Sequence, residues 1–486
     1  MSPSTVLIAN RGEIAVRVIR TLREMGLRSV AVYTEVDADA MHVSLADEAV
    51  SLGEPPNYLD IEGIIAACQA TGATAIHPGY GFLSQNAGFV RACSEAGITF
   101  VGPGPEAMEQ LGDKSASRAL AQKVGVPVIP GAERCEDATA AKAAAAEVGY
   151  PVLLKAAGGG GGKGMRRVDD ESQVEDAFDA ARREAMSAFA DDRMLVEKFI
   201  HPARHIEVQI LADGKQAVAL GERECSLQRR YQKVIEEAPA STISEETRRA
   251  VFASAVKLAE AAGYANAGTV EFLVGPDGAH YFLEVNTRLQ VEHPVTEALI
   301  GLDIVRAQIE IAHGGGLPEV RAPRGHAIEA RLNAEDPYHG FLPQIGDVLL
   351  LDWPQIPGVR IDSGLREGLS ISPHYDSLVA KVIAHGESRE MARNKLLEAL
   401  RGLTVLGMTT NLSFLIDLLE SDVFISGETY TTSVEAMTFE TPELPDAVRA
   451  LAQDALAGRS GQTLGDSDRD RFAPWDRLGA FRMGEQ

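Results

Sequence analysis

Apolar positions along this chain switch between a period of two and a helical period, and the switches outline its elements. TVLIA, residues 5–9, is a short β-type run. Ile14, Val18, Ile19, Leu22 and Met25 then recur at helical spacing, Gly26 stops the helix, and SVAVYT resumes a strand. A βαβ unit is predicted. TAIHPGYGFLSQN and ITFVGPG repeat a strand running into a Gly/Pro loop. In parallel sheets such loops gather at the carboxyl edge where ligands bind, which makes His77, Tyr80 and Gln85 either cleft residues or ordinary turn residues. From about residue 115 the chain is helix-rich up to Val148. YPVLLKAAGGGGGKGMRRV then reads as a strand, five glycines and a second strand. Linkers are flanked by polar, aperiodic sequence, whereas strands abut both ends here, so a hairpin lid is expected rather than a linker.

The clearest alternation is EVNTRLQVEHP, where Glu284, Asn286, Arg288, Gln290 and Glu292 fall at every second position. An extended backbone puts all five on one side. That describes either a half-exposed strand or a site, and two carboxylates, an amide and an Arg interleaved suit a divalent cation beside an anion. Pro294 is expected to close the run. GHAIEARLN likewise sets Glu329, Arg331 and Asn333 opposite Ile328, Ala330 and Leu332, and RHIEVQIL sets His205, Glu207 and Gln209 on one face. MLVEKFI carries Glu197 and Lys198 inside an apolar run. ERECSLQRRYQKVIEEAPA gathers Arg223, Arg229, Arg230 and Lys233, as a solvated surface or as an anion pocket.

Length and charge narrow the options. A chain of 486 residues accommodates roughly three domains of about 150 residues. With 70 acidic against 46 basic residues the net charge is -24, which argues against a nucleic-acid partner held by a general basic surface. Cys68, Cys93, Cys135 and Cys225 lack CxxC spacing and read as reduced thiols. No run approaches the ~18 apolar residues of a membrane span, so a soluble, cytoplasmic protein is expected. ANRGEIA lacks the GxGxxG dinucleotide fingerprint, and the glycine run fails the Walker A spacing at Ala157 and Gly164. Its backbone N–H groups still suit phosphate, with Lys155 adding a point charge.

In order and spacing, HPGYGFLSQN, KAAGGGGGKGM, QRRYQKVIEEAP, EVNTRLQVEHPVTE and GHAIEARLNAEDP resemble biotin carboxylase, the ATP-grasp unit of biotin-dependent carboxylases, from about residue 5 to 440. The resemblance implies an α/β (α+β) chain. A Rossmann-like N-terminal domain would span 1–114 and an ATP-grasp domain 115–325 with a lid at about 131–203. A biotin carboxylase C-terminal domain would span 326–440 and a linker or tail 441–486. It further implies ATP with Lys114, Lys155 and His205 on its phosphates, Gly161, Gly162 and Met165 above it, and Glu197, Lys198, Ile200 and Leu273 around adenine, with Gln228 and Tyr231 alongside. Magnesium or manganese would be held by Glu271, Glu284 and Asn286. Bicarbonate would be held by Lys233, Arg288, Gln290 and Val291, Glu292 would be its base, and Arg331, with Tyr80, would face biotin.

Two residues depart from the family pattern: Tyr231 stands where His or Asn is usual in QRRxQK, and Gln85 where Glu is usual in FLSEN. No Met-Lys-Met occurs, so biotin is expected on another chain or on a portion absent from this one. A carrier, a carboxyltransferase and either a homodimer formed near Arg20 and Glu24 or a larger carboxylase assembly are the implied partners. The alternatives are another bicarbonate- or carboxylate-activating ATP-grasp ligase, or a non-catalytic nucleotide-binding module.

Overall fold

In the computed structural model, residues 4–156, 165–189, 193–441 and 449 are described. The expected βαβ unit consists of β1 (Thr5–Ile8), α1 (Gly12–Glu24) and β2 (Arg28–Tyr33), with β1 and β2 parallel from Thr5↔Arg28 to Ile8↔Ala31. Ile14, Val18, Ile19 and Leu22 are buried because their spacing puts them on the α1 face that packs on the sheet. Gly26 follows the helix with φ +69°, a conformation glycine adopts without strain. With β3 (Glu48–Ser51), β4 (Ala75–His77) and β5 (Thr99–Phe100) these strands form a parallel sheet of order β3-β2-β1-β4-β5. The order reverses between β1 and β4, and the loops leaving those two strands meet there: Asn10 Nδ2 donates to the Pro78 and Tyr80 carbonyls, both at 2.7 Å.

The glycine-rich hairpin belongs to a second sheet. β6 (Gly131–Cys135), β7 (Val152–Ala156), β8 (Arg166–Val168) and β9 (Met194–Lys198) pair antiparallel in the order β6-β9-β7-β8, with Val152 opposite Val168 across the hairpin. Helices Ala138–Val148 and Val174–Phe189 cover it through Ala141, Ala145, Phe178 and Ala181. The glycine run itself, including Gly161 and Gly162, lies outside the described residues, as does most of the expected tail.

The third sheet has eight antiparallel strands. β10 (Arg204–Asp213), β11 (Ala217–Arg229), β12 (Gln232–Ala238), β13 (Ala265–Val274), β14 (His280–Asn286) and β15 (His326–Asn333) join strands Leu378–Gly386 and Val359–Ser363 in the order β14-β13-β10-β11-β12-β15-(378–386)-(359–363). It runs without a break past residue 325, because β12 pairs directly with β15 from Ile235↔Ala330 to Ala238↔Ala327. Helices Arg389–Gly402 and Leu412–Glu420 pack beyond it through Leu396, Leu400, Phe414 and Leu418.

Two local expectations are corrected. The run from Glu284 to Glu292 is not one strand: β14 stops at Asn286 and residues 287–292 form a loop. Pro294 opens a helix, His293–Ile300, where its fixed φ and missing N–H are tolerated in the first turn. Arg20 pairs with Asp362 at 3.1 Å across to strand 359–363. Among the described residues, no helix is long and apolar enough to cross a membrane.

Candidate active site

Strand register builds one polar row across four neighbouring strands. Arg223 on β11 lies opposite Glu207 on β10, Glu207 opposite Glu271 on β13, and Glu271 opposite Glu284 on β14. Directly opposed residues share a face. Arg223 is fully buried, donating to Glu207 Oε1 at 2.5 Å, Gln209 Oε1 at 2.8 Å and Thr296 Oγ1 at 2.9 Å. Lys233, on β12, donates to Glu207, to Glu271 Oε1 at 3.0 Å and to Glu292 Oε1 at 2.6 Å.

The loop after β14 folds its side chains back onto this row. Gln290 donates to Glu271 Oε1 at 3.0 Å, beside Asn286 at the end of β14, which donates to the same oxygen at 2.8 Å. Arg288 donates to Asn286 Oδ1 at 3.0 Å and to Gln290 Oε1 at 2.8 Å. Glu292 is clamped from its second oxygen by Arg331 Nη2 at 2.9 Å, and Arg331 Nε reaches Glu236 Oε1 at 2.5 Å. The five alternating side chains therefore converge even though the strand ends early.

Burial and charged neighbours together set the protonation states. Burial opposes the charge on Lys233, yet Glu207, Glu271 and Glu292 hold its pKa well above the ordinary value. Burial opposes the Glu292 carboxylate too, but Lys233, Arg331 and Arg223 hold it well below the usual range. Glu271 is lowered in the same way against burial, by Lys233 and His205. Burial dominates at Glu236, pushed up to about 7 despite Arg331, and at Glu329, raised well above its usual value with no hydrogen-bond partner for either oxygen. Burial also lowers the Arg288 guanidinium.

Beside this row lies a cavity of about 320 Å³, of a size that takes a small organic ligand. Its walls include Lys114, Lys155, Met165, Glu197, Lys198, Ile200, His205, Gln228, Tyr231, Glu271, Leu273 and Glu284. Lys155 Nζ sits 2.5 Å from Glu197 Oε2, Lys114 Nζ 3.9 Å from Glu284, and His205 Nε2 3.0 Å from Glu271 Oε2. Lys198 Nζ donates to the carbonyls of Gly149 and Tyr150, both at 2.8 Å.

Several expected residues lie elsewhere. Arg229 stacks on Phe341 at 3.9 Å and Arg230 is exposed in the β11–β12 turn, so of the four clustered cations only Arg223 and Lys233 enter the centre. His77, the last residue of β4, is buried, takes the Gly79 N–H on Nδ1 and meets Gln308 through Nε2; burial lowers its pKa to about 4, and it is a neutral strand-end residue that lines no cleft. Tyr80 borders a separate cavity with Glu13, Phe82 and Tyr375, its ring 5.9 Å from Lys381 Nζ. Gln85 Oε1 accepts the Thr287 N–H at 3.0 Å. The sequence reading passed over Glu236, which carries Arg331, and Lys381, whose Nζ donates to the Val291 carbonyl at 2.8 Å. A lone lysine inside the apolar run LVAKVIA was the available signal.

Family models described as "Biotin carboxylase, N-terminal domain", "Carbamoyl-phosphate synthase L chain, ATP binding domain" and "Biotin carboxylase C-terminal domain" match residues 2–108, 113–320 and 329–436. The chain is 47% identical to the biotin carboxylase of a Nostoc species over 440 residues, 89% of this chain and 98% of that one. This chain belongs to the biotin carboxylase family. It is also 48% identical over 436 residues to the mitochondrial propionyl-CoA carboxylase alpha chain of Caenorhabditis elegans, covering 88% of this chain but 60% of that longer protein. The biotin carboxylase domain dimer of Hydrogenobacter thermophilus 2-oxoglutarate carboxylase, solved with MgADP, ADP and bicarbonate, superposes with a TM-score of 0.85 at 42% identity, covering 90% of this chain and 98% of that one.

The donor set fits a divalent cation. Glu271 and Glu284 occupy opposed register positions, both line the cavity, and Glu284 is partly open to it at 37% exposure, giving hard oxygen ligands on one wall.

Proposed function

We propose that this chain carboxylates biotin with ATP and bicarbonate through carboxyphosphate, as the first half-reaction of a biotin-dependent acyl-CoA carboxylase. The observation that carries the reading is Glu292, a buried carboxylate gripped by Lys233 and Arg331 and joined through Lys233 to Glu271 on the wall of the cavity.

ATP occupies that cavity, with Lys114, Lys155 and His205 toward its phosphates and Met165, Glu197, Lys198, Ile200, Gln228, Tyr231 and Leu273 toward its base and sugar. Glu271, Glu284 and Asn286 hold the cation, which when bound neutralises phosphate charge and polarises the γ-phosphoryl group. Lys233, Arg288, Gln290 and Val291 hold bicarbonate. Glu292 takes the bicarbonate proton. Its low pKa keeps it ionised and ready, and as the anion draws Lys233 toward itself, Glu292 loses a positive neighbour and becomes a stronger base. An oxygen of the deprotonated bicarbonate attacks the γ-phosphorus of ATP, the bond from that phosphorus to the β–γ bridging oxygen breaks, and ADP leaves. The carboxyphosphate so formed breaks down to carbon dioxide and phosphate, and the phosphate takes the ureido proton of biotin. Arg331 stabilises the oxygen of deprotonated biotin as carbon dioxide is captured.

Biotin arrives on a carrier domain or protein, and a carboxyltransferase completes the reaction. The Hydrogenobacter domain dimer supports a homodimer, and a cytoplasmic location suits the bacterial relatives. The test is ATP hydrolysis by the purified chain with free biotin and bicarbonate varied independently. Hydrolysis that needs bicarbonate, together with carboxybiotin formation, is expected; hydrolysis indifferent to both would defeat the proposal.

A further inference from the structure

The main chain of the loop 287–292 is tied at two points to distant parts of the protein. At its start the Thr287 N–H donates to Gln85 Oε1 at 3.0 Å, from the loop after β4. At its end the Val291 carbonyl accepts from Lys381 Nζ at 2.8 Å, from strand 378–386. Lys381 is fully buried, and its nearest carboxylates are farther away: Glu13 Oε2 at 3.4 Å and Asp362 Oδ2 at 4.0 Å. Asp362 is already held by Arg360 at 3.0 and 2.6 Å and by Arg20 at 3.1 Å. Burying an ammonium costs several kcal/mol, and in a strand of apolar neighbours a Leu or Met would avoid that cost. The bond to Val291 gives the lysine a use that neither would supply.

Register adds the second half of the argument. Lys381 lies directly opposite Arg331 on β15, so both point to the same face of the same strand pair. Arg331 reaches Glu292 at one end of that face while Lys381 reaches Val291, its neighbour in sequence. Two rigid strands thus grip consecutive residues of one loop.

We propose that Lys381, seconded by Gln85, is a positioning residue that sets the bicarbonate-holding loop against Arg331; this rests on the biotin carboxylase reading above. Neither side chain touches the reacting atoms. They fix where the Val291 and Glu292 main chain stands, and so the spacing between the carboxyl donor and its acceptor.

The test is steady-state kinetics of Lys381→Met, Lys381→Arg and Gln85→Ala with free biotin, titrating bicarbonate and ATP separately, after circular dichroism has checked the fold. Loss of one charge-assisted hydrogen bond predicts a rise in KM for bicarbonate of about tenfold or more in Lys381→Met, with KM for ATP within about twofold of wild type. Lys381→Arg is expected to recover part of the loss, and Gln85→Ala to show a smaller rise in the same direction. Gln85 is exposed, so the fold is not at stake there, and that variant decides the matter if Lys381→Met does not fold. An unchanged KM for bicarbonate in the folded variant overturns the proposal, as do equal rises for both substrates. A wild-type chain without bicarbonate-dependent ATP hydrolysis would instead remove the functional reading, and this inference with it.

Discussion

Replacing Arg331 by Ala separates the two chemical steps. In the structure the guanidinium is shared: Nε serves Glu236 at 2.5 Å and Nη2 serves Glu292 at 2.9 Å. Removing it leaves two buried carboxylates facing each other without their common cation. Glu236, already at about 7, responds by holding its proton more firmly, which limits the electrostatic damage. Glu292 keeps Lys233 at 2.6 Å, so the base stays in place and carboxyphosphate still forms. Loss of a donor to a developing oxyanion costs about 100- to 1,000-fold, and that cost falls on biotin carboxylation alone. The expected result is bicarbonate-dependent ATP hydrolysis that survives with far less loss, because carboxyphosphate decays without an acceptor.

The pH profile gives a second readout. With one of its cations gone, Glu292 titrates higher, so the acidic limb of the ATPase profile should move to higher pH. Glu292→Gln is the control: both activities should fall together by about 100- to 10,000-fold, the range for loss of a general base. Parallel phosphate release and carboxybiotin assays on the two variants decide the question. If Arg331→Ala lost both activities in the same proportion, the division of roles between Glu292 and Arg331 would be wrong. Full activity in Glu292→Gln would sink the carboxyphosphate mechanism for this chain.

Glu284→Gln should lower turnover sharply and raise the magnesium concentration needed for half-maximal rate, since an amide cannot neutralise the cation as a carboxylate does; an unchanged magnesium titration would take Glu284 out of the site. Glu13 is raised by burial from 4.5 to about 7, so the folded state holds a proton there that the unfolded chain gives up, and this contribution is present below about pH 4.5 and lost as pH rises through about 7. Thermal melts of Glu13→Gln against wild type at pH 5 and pH 8 should therefore show the variant's relative stability improving at pH 8, and parallel melting curves would refute the assignment. Arg20 is 46% exposed on α1 and bound to the buried Asp362, which makes it both a fold contact and part of an open surface. Sedimentation velocity should find a dimer at micromolar concentration, weakened by Arg20→Glu, and a wild-type monomer would count against the expected assembly.

How much of this site was legible in the sequence depends on where its hydrogen bonds go. The row Arg223–Glu207–Glu271–Glu284 follows from strand periodicity plus a register that single-sequence patterns do not contain, so the residues were nameable while their adjacency was not. The alternation at 284–292 correctly grouped five side chains, but it also implied a strand as far as Glu292. That failed because β14 is an edge strand, and beyond Asn286 the main chain is held by Gln85 and Lys381, residues about 200 positions upstream and 90 downstream. No local pattern announces partners at that distance.

The basic cluster shows the same limit from the side of parity. Arg223 and Arg229 are six residues apart on β11, so an ideal strand would bury both on one face. The β11–β12 register shifts between Glu224 and Leu227 and again between Leu227 and Gln228, and these irregularities break the alternation before Arg229 is reached. Arg230 and Tyr231 then form the two-residue turn with φ +48° and +66°, left-handed values usually marked by Asn-Gly rather than Arg-Tyr. Tyr231, 58% exposed, is thereby held at the wall of the cavity proposed for ATP. A turn built on two bulky residues in strained conformations needs a reason, and a ring held over the cavity supplies one: relaxing the turn with Tyr231→Gly should leave the fold intact and raise KM for ATP, while an unchanged KM would show that the aromatic ring contributes nothing to nucleotide binding.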